Sequence, residues 1–479
     1  MVHAVNSNQR PAPMLLDSYE KDKFFDEICT LAVETDSQLT QIDRLLDDEE
    51  LYQLIRADLA QRHPHTETTG RPSTPVEVIL RMLVTRRLYG WSYEETEQRV
   101  KDSLVLRMFC RAYFESVPDD TTLIRWAGQV QPETLEAFNR RITALALELK
   151  VTKGRKLRTD GTAVETNIAA PVDSRLLADS VRVLGRSLTR AKAVLAEGTE
   201  LVKSVFRNRN RSARRMARKA AQYIGSQKER GQAAYRKLVT ITRQTISQAK
   251  TVLAELKAMA KLVSHCKPAE RLVGTLESFI PRAEQVIDQT VRRVFQNEKV
   301  PAEDKLVSIF EPHSDIIVRG KAGKPVEYGH KVWLDEVEGG IVTRWDVLDG
   351  NPNDQLQWTD SLDGHKDLFG KPPTQVSADR GVYSPKNEQA AQSREIARVV
   401  LPKPGYKSVE REQHEKQAWF RKGRRWHNGV EGRISVLKRR FDLTRCRDHG
   451  RAGFERWVGW AVIANNLVSI GRHQAAKVG

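Results

Sequence analysis

A long helical segment divides this chain and limits the folds that it can adopt. Between residues 174 and 300, two apolar seams recur at helical spacing, one from Leu177 and one from Val239. Such seams predict an antiparallel coiled-coil hairpin or a small bundle. The flanking segments, 151–173 and 301–479, carry the β pattern. We therefore expect a mixed α/β domain that is interrupted by a helical insertion.

Size and charge restrict the function. At 479 residues the chain should hold two or three domains, and its net charge of +17 indicates a polyanionic partner such as nucleic acid. No apolar run reaches the length of a membrane span, and the first residues lack a signal pattern, so we expect a cytoplasmic protein without a membrane partner. The four cysteines are widely separated, which favours free thiols. Walker A, H-E-x-x-H and G-x-G-x-x-G motifs are absent from the sequence.

The N-terminal part is predicted to be helical. Residues 1–70 are interpreted as an arm and linker, and residues 71–150 as a helical DNA-binding domain of the helix-turn-helix type. The segment 121–129 offers Arg125 and Trp126 to DNA. A plain helical bundle without groove contacts is the alternative, and the sequence leaves both open.

A basic run lies inside the helical insertion, in RNRNRSARRMARKAA. Runs of this kind are often only solvated helix surface. No carboxylate interrupts this one, which favours a surface that follows DNA phosphates. The arginines assigned to DNA here are Arg207, Arg211, Arg214, Arg215 and Arg218.

Three acids stand at positions that suit metal-dependent phosphoryl transfer. Asp160 ends a predicted strand, Asp379 lies at a strand-to-turn junction, and Glu431 lies on a predicted helix. An Asp before or near Gly is usually only a turn former. In a basic chain, however, two strand-borne Asp and one helix-borne Glu could hold two Mg²⁺ ions, with Mn²⁺ as the substitute.

The segment Trp426–Phe441 predicts the helix that carries the third acid. Its apolar stripe consists of Val430, Ile434, Leu437 and Phe441. Glu431 and Lys438 share the neighbouring stripe, so a carboxylate and an ammonium group project from one face. A solvated helix face is the alternative reading of that pair.

Several segments together resemble the DDE transposases of bacterial insertion sequences, particularly the ISNCY type. They are TTGRPSTPVEVILRMLVTRRLYGWSYEETEQRV, LRTDGTAVETNI, PVDSRLLADSVRVL, GKPVEYGHKVWL, SADRGVYSPKNEQAA and HNGVEGRISVLKRRF. The resemblance implies an RNase H-like catalytic domain, formed by residues 151–173 and 301–479. It would be interrupted by the basic helical insertion 174–300 and preceded by the all-α DNA-binding domain.

The resemblance also implies roles for single residues. Asp160, Asp379 and Glu431 would be the catalytic acids and the ligands of two Mg²⁺. Lys438, spaced from Glu431 as in insertion-sequence enzymes, would lie near a phosphate of the element end. Related families often carry Arg and Tyr at the positions of His427 and Arg424, so a phosphate contact by His427 would depend on its protonation. Arg380 and Arg433 are also assigned to DNA.

The implied activity is cleavage at the element ends followed by transfer of the 3′-OH into target DNA. The expected partners are the terminal inverted repeats and target DNA, bound by a homodimer in association with the nucleoid. Two alternatives stay open, namely a catalytically silent DNA-binding protein and a metal-dependent nuclease of the same fold.

Overall fold

The structure is a computed structural model of the chain. It describes residues 15–32, 36–62, 72–196, 207–262, 267–321 and 324–478. Contacts divide the chain into two compact units, one formed by residues 1–165 and 331–479 and the other by residues 166–330. Cys29, Cys110 and Cys446 are buried free thiols, whereas Cys266 lies outside the described residues.

In its described residues, the first unit contains eight N-terminal helices, a sheet, and six helices that follow β4 in the chain. Its helices are α1 Lys23–Ala32, α2 Ser37–Leu46, α3 Glu49–Ala60, α4 Val76–Tyr89, α5 Tyr93–Asp102, α6 Leu104–Phe109, α7 Asp120–Ala127 and α8 Pro132–Glu148. The second unit contains α9 Asp173–Ala196, α10 Asn210–Tyr223, α11 Lys228–Leu262 and α12 Lys267–Thr290. The chain then returns to the first unit with α13 Trp358–Phe369, α14 Pro385–Gln392, α15 Val409–Lys416, α16 Ala418–His427, α17 Gly429–Arg440 and α18 Gly450–Val478.

The strands form a mixed sheet. They are β1 Lys156–Thr166, β2 Asp315–Lys321, β3 Lys324–Val337, β4 Ile341–Val347, β5 Gln375–Ser377, β6 Arg398–Val400 and β7 Arg445–Cys446. In the first unit the strand order is β4-β3-β1-β5-β6, with β7 also paired to β1. The β3–β4 pair is antiparallel, whereas β5 runs parallel to both β1 and β6. The carboxyl ends of β1, β5 and β6 therefore face the same edge of the sheet.

The N-terminal helices share one hydrophobic core with the sheet. Helix α18 packs against α2, α4 and α8 as well as β4. Buried amides continue this contact, because Asn466 donates to the Asn139 side chain at 2.8 Å and accepts from the Val342 amide at 2.9 Å. The helical region predicted over residues 71–150 belongs to the same compact unit as the sheet.

Helix α4 is buried on nearly all sides, and its charges are satisfied inside the protein. Arg81 is fully buried and pairs with Asp43 at 2.6 Å and Glu77 at 3.1 Å. A buried guanidinium without such partners would be very costly, so these carboxylates are required for α4 to occupy the centre.

The predicted helix-turn-helix region contains short helices, but its exposed groups differ from the prediction. Ser92 and Glu95 form the predicted capping box at the start of α5. On α7, Arg125 is exposed, whereas Trp126 is only 4% exposed and packs under Arg62. The assignment of Trp126 to a DNA-facing position is therefore wrong, because this indole belongs to the core.

The second unit is a four-helix bundle followed by β2 and the first residues of β3, which pair with each other as a hairpin. Helices α9, α10, α11 and α12 pack on one another around Leu177, Leu238 and Leu276, which are fully buried. Of the two predicted arrangements, the structure forms the small bundle. The basic run that was predicted to connect the two seams forms helix α10 of this bundle. Residues 303–314, predicted to begin the β region, form no strand, and β2 starts at Asp315.

Two further sequence expectations can be compared with the structure. Gly339 and Gly340 adopt φ values of 81° and 75°, as the predicted hairpin turn between β3 and β4 requires. Among the described residues, no helix is both long and apolar enough to cross a membrane.

A buried acid on β3 predicts a pH-dependent stability. Burial raises the pKa of Asp335 to about 6, although Arg344 and Ser361 contact its carboxylate. The folded state therefore binds this proton more tightly than the unfolded chain, and stability falls as pH rises from the unfolded pKa to about 6. We expect the effect of Asp335→Asn on the free energy of unfolding to be about 1 kcal/mol more favourable at pH 8 than at pH 5, because the carboxyl is charged at pH 8 and largely protonated at pH 5 whereas the amide is neutral at both.

Urea denaturation at the two pH values measures this difference. Asp346→Asn is the matched control. Asp346 also pairs with Arg344, but its side chain is 41% exposed, unlike the buried side chain of Asp335. An equal change in the free energy of unfolding of Asp335→Asn at both pH values would contradict the raised pKa of Asp335.

Candidate functional site

The candidate site begins on strand β1, where polar and apolar side chains alternate. Leu157 and Thr159 are fully buried on one face. Arg158 and Asp160 therefore point to the other face, because side chains two residues apart share a face of a strand. Asp160 is half-buried, and its Oδ1 accepts a hydrogen bond from the Gly161 amide at 2.7 Å.

The second predicted acid follows the neighbouring strand. In the parallel pair of β1 and β5, Arg158 is in register with Ser377. Asp160 and Asp379 each lie two residues beyond this pair, in the direction of the carboxyl edge of the sheet. Asp379 is exposed, and its Oδ1 accepts a hydrogen bond from the Gly381 amide at 2.8 Å.

The third predicted acid lies on helix α17, which is attached to β1 at both of its ends. At the first turn, the Arg158 guanidinium donates to the Trp426 carbonyl and occupies the space that a side chain at Gly429 would fill. At the last turn, Lys438 Nζ donates to the Ala163 carbonyl at 2.8 Å. The helix thus runs alongside β1, and the exposed Glu431 lies in the turn next to Arg158.

The buried carboxylate of Glu336 holds this arrangement together. Glu336 is 1% exposed and accepts hydrogen bonds from Arg158 at 2.7 Å and from Arg433 at 3.1 Å. The three residues belong to β3, β1 and α17. Charge-assisted hydrogen bonds of this kind are strong and directional, so the ion triad fixes the position of α17 on the sheet.

The structure corrects the assignment of Arg433 to DNA. Its guanidinium binds Glu336 and donates to the Asn465 side chain at 2.7 Å, and it fills the space above Gly340. Arg433 is therefore part of the support of α17. Arg380, in contrast, is exposed beside Asp379, as a group that contacts DNA would be.

The structure also corrects the phosphate contact proposed for His427. Burial, together with the nearby Arg158 guanidinium, lowers the pKa of His427 to about 4. The imidazole is thus neutral at physiological pH and cannot attract a phosphate as a cation. Its ring lies near the Ser377 backbone, where the end of α16 packs against β5.

A fourth acid, which the sequence reading missed, lies next to the first two. A side chain at Gly381 would meet Asp354 Oδ2 at 3.6 Å and Asp379 Oδ1 at 3.1 Å, and one at Gly161 would meet Asp354 Oδ1 at 3.4 Å. Asp354 forms an ion pair with Lys331. Its only signal in the sequence is the turn-forming run Asp349–Asp354, which gives no hint of a site.

Buried Asn387 fixes the loops that carry Asp354 and Asp379. Its side-chain amide donates to the Gln355 carbonyl at 3.0 Å and to the Val382 carbonyl at 2.9 Å. In addition, the Gln355 side chain donates to the Tyr383 carbonyl at 2.9 Å. The two loops are thus held side by side through backbone atoms, which leaves the acids free to adjust their side chains.

The predicted acids do not form a ready metal site. No group of three or more His, Cys, Asp or Glu side chains among the described residues is spaced to hold a metal ion. The oxygen donors of the predicted acids are nevertheless of the type that Mg²⁺ and Mn²⁺ prefer.

The basic run of the second unit forms an exposed surface. On α10, Ala213, Met216 and Ala220 are buried in the bundle, and no acid interrupts the helix. The arginines assigned to DNA are all exposed and have no carboxylate partner within the described part of the chain; they are Arg207, Arg211, Arg214, Arg215 and Arg218. We refer to them as the α10 basic face.

Comparison with known proteins supports one family of proteins for the N-terminal region. A family model described as a transposase domain (DUF772) matches residues 29–129, which extend from α1 to just beyond α7. No curated protein and no solved structure matches the chain. The match supports a transposase family for this chain, and it does so through the N-terminal helices rather than through the acids.

The role of Glu336 can be tested by removing its charge. We expect Glu336→Gln to lower the free energy of unfolding by about 3–5 kcal/mol, because two partly buried guanidinium groups lose their carboxylate. Urea denaturation measures the loss. The control is Asp349→Asn, which removes a 91% exposed partner of Arg451 and should cost no more than about 1 kcal/mol. Similar losses for the two variants would contradict the supporting role of Glu336.

Proposed function

We propose that the protein is a transposase that cleaves DNA at the ends of an insertion element and joins the freed 3′-OH to target DNA. The observation that carries the proposal is that Asp160 and Asp379 each follow the in-register pair Arg158–Ser377 by two residues at one edge of the sheet, with Glu431 on the helix that runs alongside β1. The transposase-domain match of the N-terminal region supports the same class of activity and a DNA partner.

The strand order supports an RNase H-like catalytic domain. Such a domain has three strands followed along the chain by two parallel strands with helical connections. The order β4-β3-β1-β5-β6, with β5 parallel to both of its neighbours, agrees with this description. In this proposal, residues 166–330 are an insertion within the catalytic domain.

The proposed metal ligands are Asp160, Asp379 and Glu431. Two bound Mg²⁺ ions would neutralise charge on the attacking and leaving oxygens and make water a better nucleophile. The donor chemistry fits this, because carboxylate oxygens are the ligands of hard cations. Asp160 and Asp379 each have one oxygen hydrogen-bonded to a nearby glycine amide, which orients the carboxylate toward the sheet edge.

The chemistry requires no covalent intermediate with the protein. A water oxygen attacks the phosphorus at the element end, the bond from phosphorus to the 3′ oxygen breaks, and that oxygen leaves as a 3′-OH. The 3′ oxygen then attacks a phosphodiester of the target, which forms the new bond and releases a target 3′-OH. The protein contributes positioning and charge stabilisation. We assign phosphate contacts near the acids to Lys438 and Arg380, and we infer a homodimer because two element ends must be brought together.

Removal of one acid tests the catalytic assignment. We expect Asp379→Asn to reduce the joining of element ends to a target plasmid at least about 100-fold, because a metal ligand is lost. Gel analysis of joined and nicked products gives the measurement, and Asp367→Asn, an exposed acid on α13, is the matched control. Normal joining by Asp379→Asn would refute the assignment, and nicks without joined products from the unaltered chain would identify a nuclease instead.

A thiolate at the same positions tests whether these side chains bind metal. A sulfur ligand suits Mn²⁺ better than Mg²⁺. Asp160→Cys and Asp379→Cys should therefore be inactive with Mg²⁺ and regain part of their activity with Mn²⁺, whereas the control Asp367→Cys should respond to both metals like the unaltered chain. The same failure with both metals would argue against direct ligation.

The α10 basic face is proposed to contact DNA phosphates without reading sequence. We expect replacement of Arg214, Arg215 and Arg218 by Ala to weaken binding to all DNA sequences and to reduce the slope of log K against log salt by about two to three. The control replaces Lys250 and Lys257, which already pair with Glu284 and Glu277. Unchanged affinity of the arginine variant at every salt concentration would show that the face is only solvated surface.

A further inference from the structure

Helix α16 presents an exposed basic surface that is separate from the α10 basic face. Its outward side carries Arg421, Lys422, Arg424 and Arg425, all of them exposed. In the described part of the chain, none of the four has an ion pair or a side-chain hydrogen bond. We refer to these four residues as the α16 basic face.

Helix α16 is fixed on the sheet next to the proposed catalytic acids. Phe420 is fully buried, and Gly423 lies so close to Val400 of β6 that any side chain at residue 423 would collide with it. At its end, the His427 ring lies near the backbone of Ser377, two residues before Asp379. Helix α16 therefore packs on β5 and β6, and its last turn lies on the side of the sheet where β5 leads to Asp379.

The loop between β6 and α15 exposes an aromatic side chain at the same sheet edge. Tyr406 is 90% exposed, the largest exposure among the large apolar and aromatic residues that remain in solvent. Strand β6 is parallel to β5, so the chain leaves β6 at the edge where it also leaves β5 toward Asp379.

This loop is held by a buried carboxylate. Glu415 is 7% exposed and accepts hydrogen bonds from the Lys403 amide at 2.9 Å, the Lys407 ammonium at 2.5 Å and the Arg411 guanidinium at 3.0 Å. These interactions lower the pKa of Glu415 despite the opposing effect of its burial, so the charge that holds the loop persists at neutral pH. The loop thus fixes the backbone on both sides of Tyr406 and leaves the ring itself without packing.

An exposed aromatic ring on a held loop and a row of exposed cations, both at the edge of the sheet where β5 and β6 end, form a combination that suits unpaired nucleic acid. Every base has a π-face and can stack on such a ring whatever its sequence, while the cations follow the phosphates. A base paired within a duplex is already stacked and cannot reach the ring. The exposed ring and the exposed cations together therefore favour binding of single-stranded DNA over binding of a duplex.

The geometry points to a binding site for unpaired DNA, in which Tyr406 stacks on a base and the α16 basic face holds the backbone next to the catalytic acids. The inference rests on the proposed function for its location, since a strand held there would lie next to the phosphodiester to be cleaved. It implies that DNA at the element end is locally opened when it is bound.

Binding measurements without metal test the inference, because no cleavage then takes place. Fluorescence anisotropy in EDTA would compare a labelled oligothymidylate with a blunt duplex. We expect Tyr406→Ala to bind oligothymidylate about tenfold more weakly and the duplex with unchanged affinity, while Tyr406→Phe, which keeps the ring, should stay within about twofold on both. Phe24→Ala is the matched control, because Phe24 is 64% exposed on α1.

The cations are tested in the same assay. Replacement of Arg421 and Arg425 by Ala should reduce the salt dependence of oligothymidylate binding, whereas Lys366→Ala, an exposed cation on α13, should leave it unchanged. Unaltered oligothymidylate affinity of Tyr406→Ala, or an equal loss on the duplex, would overturn the inference. A chain that joins no DNA but needs Tyr406 for oligothymidylate would support the site and refute only the transposase activity.

Discussion

The ion triad of Glu336 with Arg158 and Arg433 is the interaction on which the candidate site depends. It connects the middle of the sheet to α17 through a carboxylate that is almost completely buried. Arg158 extends the connection, because it also donates to the Trp426 carbonyl in the last turn of α16. This group of charges therefore fixes the positions of both α16 and α17. Helix α17 carries Glu431, and α16 carries the basic face proposed to hold DNA.

The high positive charge of the chain divides into two populations of arginine. One population is buried or paired and stabilises the fold. It includes Arg81 in the centre of α4, which pairs with Asp43, and Arg433 of α17, which pairs with Glu336. The other is exposed and has no carboxylate partner in the described part of the chain, and it includes the α10 and α16 basic faces. Only this second population can release counterions from DNA, so the net charge by itself overstates the number of phosphate contacts.

The predicted acids stand on supports that are fixed by buried polar and charged groups. Asn387 holds the loops of Asp354 and Asp379 together through backbone carbonyls, and the Glu336 triad holds α17, which carries Glu431. His427 contributes to this support, because its ring lies near the Ser377 backbone of β5. Fixed backbones reduce the motion that ligand binding requires, which suits the metal site proposed for these acids.

The sequence by itself determined the local features, because they depend on spacing along the chain. These include the apolar stripe of α17, the Ser92 cap, the turn at Gly339 and the helical character of the segment that contains α9 to α12. Asp160, Asp379 and Glu431 were also chosen from sequence, although their joint role is still a proposal. Only the tertiary structure decided which charges are free. Trp126 and Arg433 were expected at DNA, and Asp354 and Tyr406 were not recognised, because burial and ion pairing depend on residues that are distant in sequence.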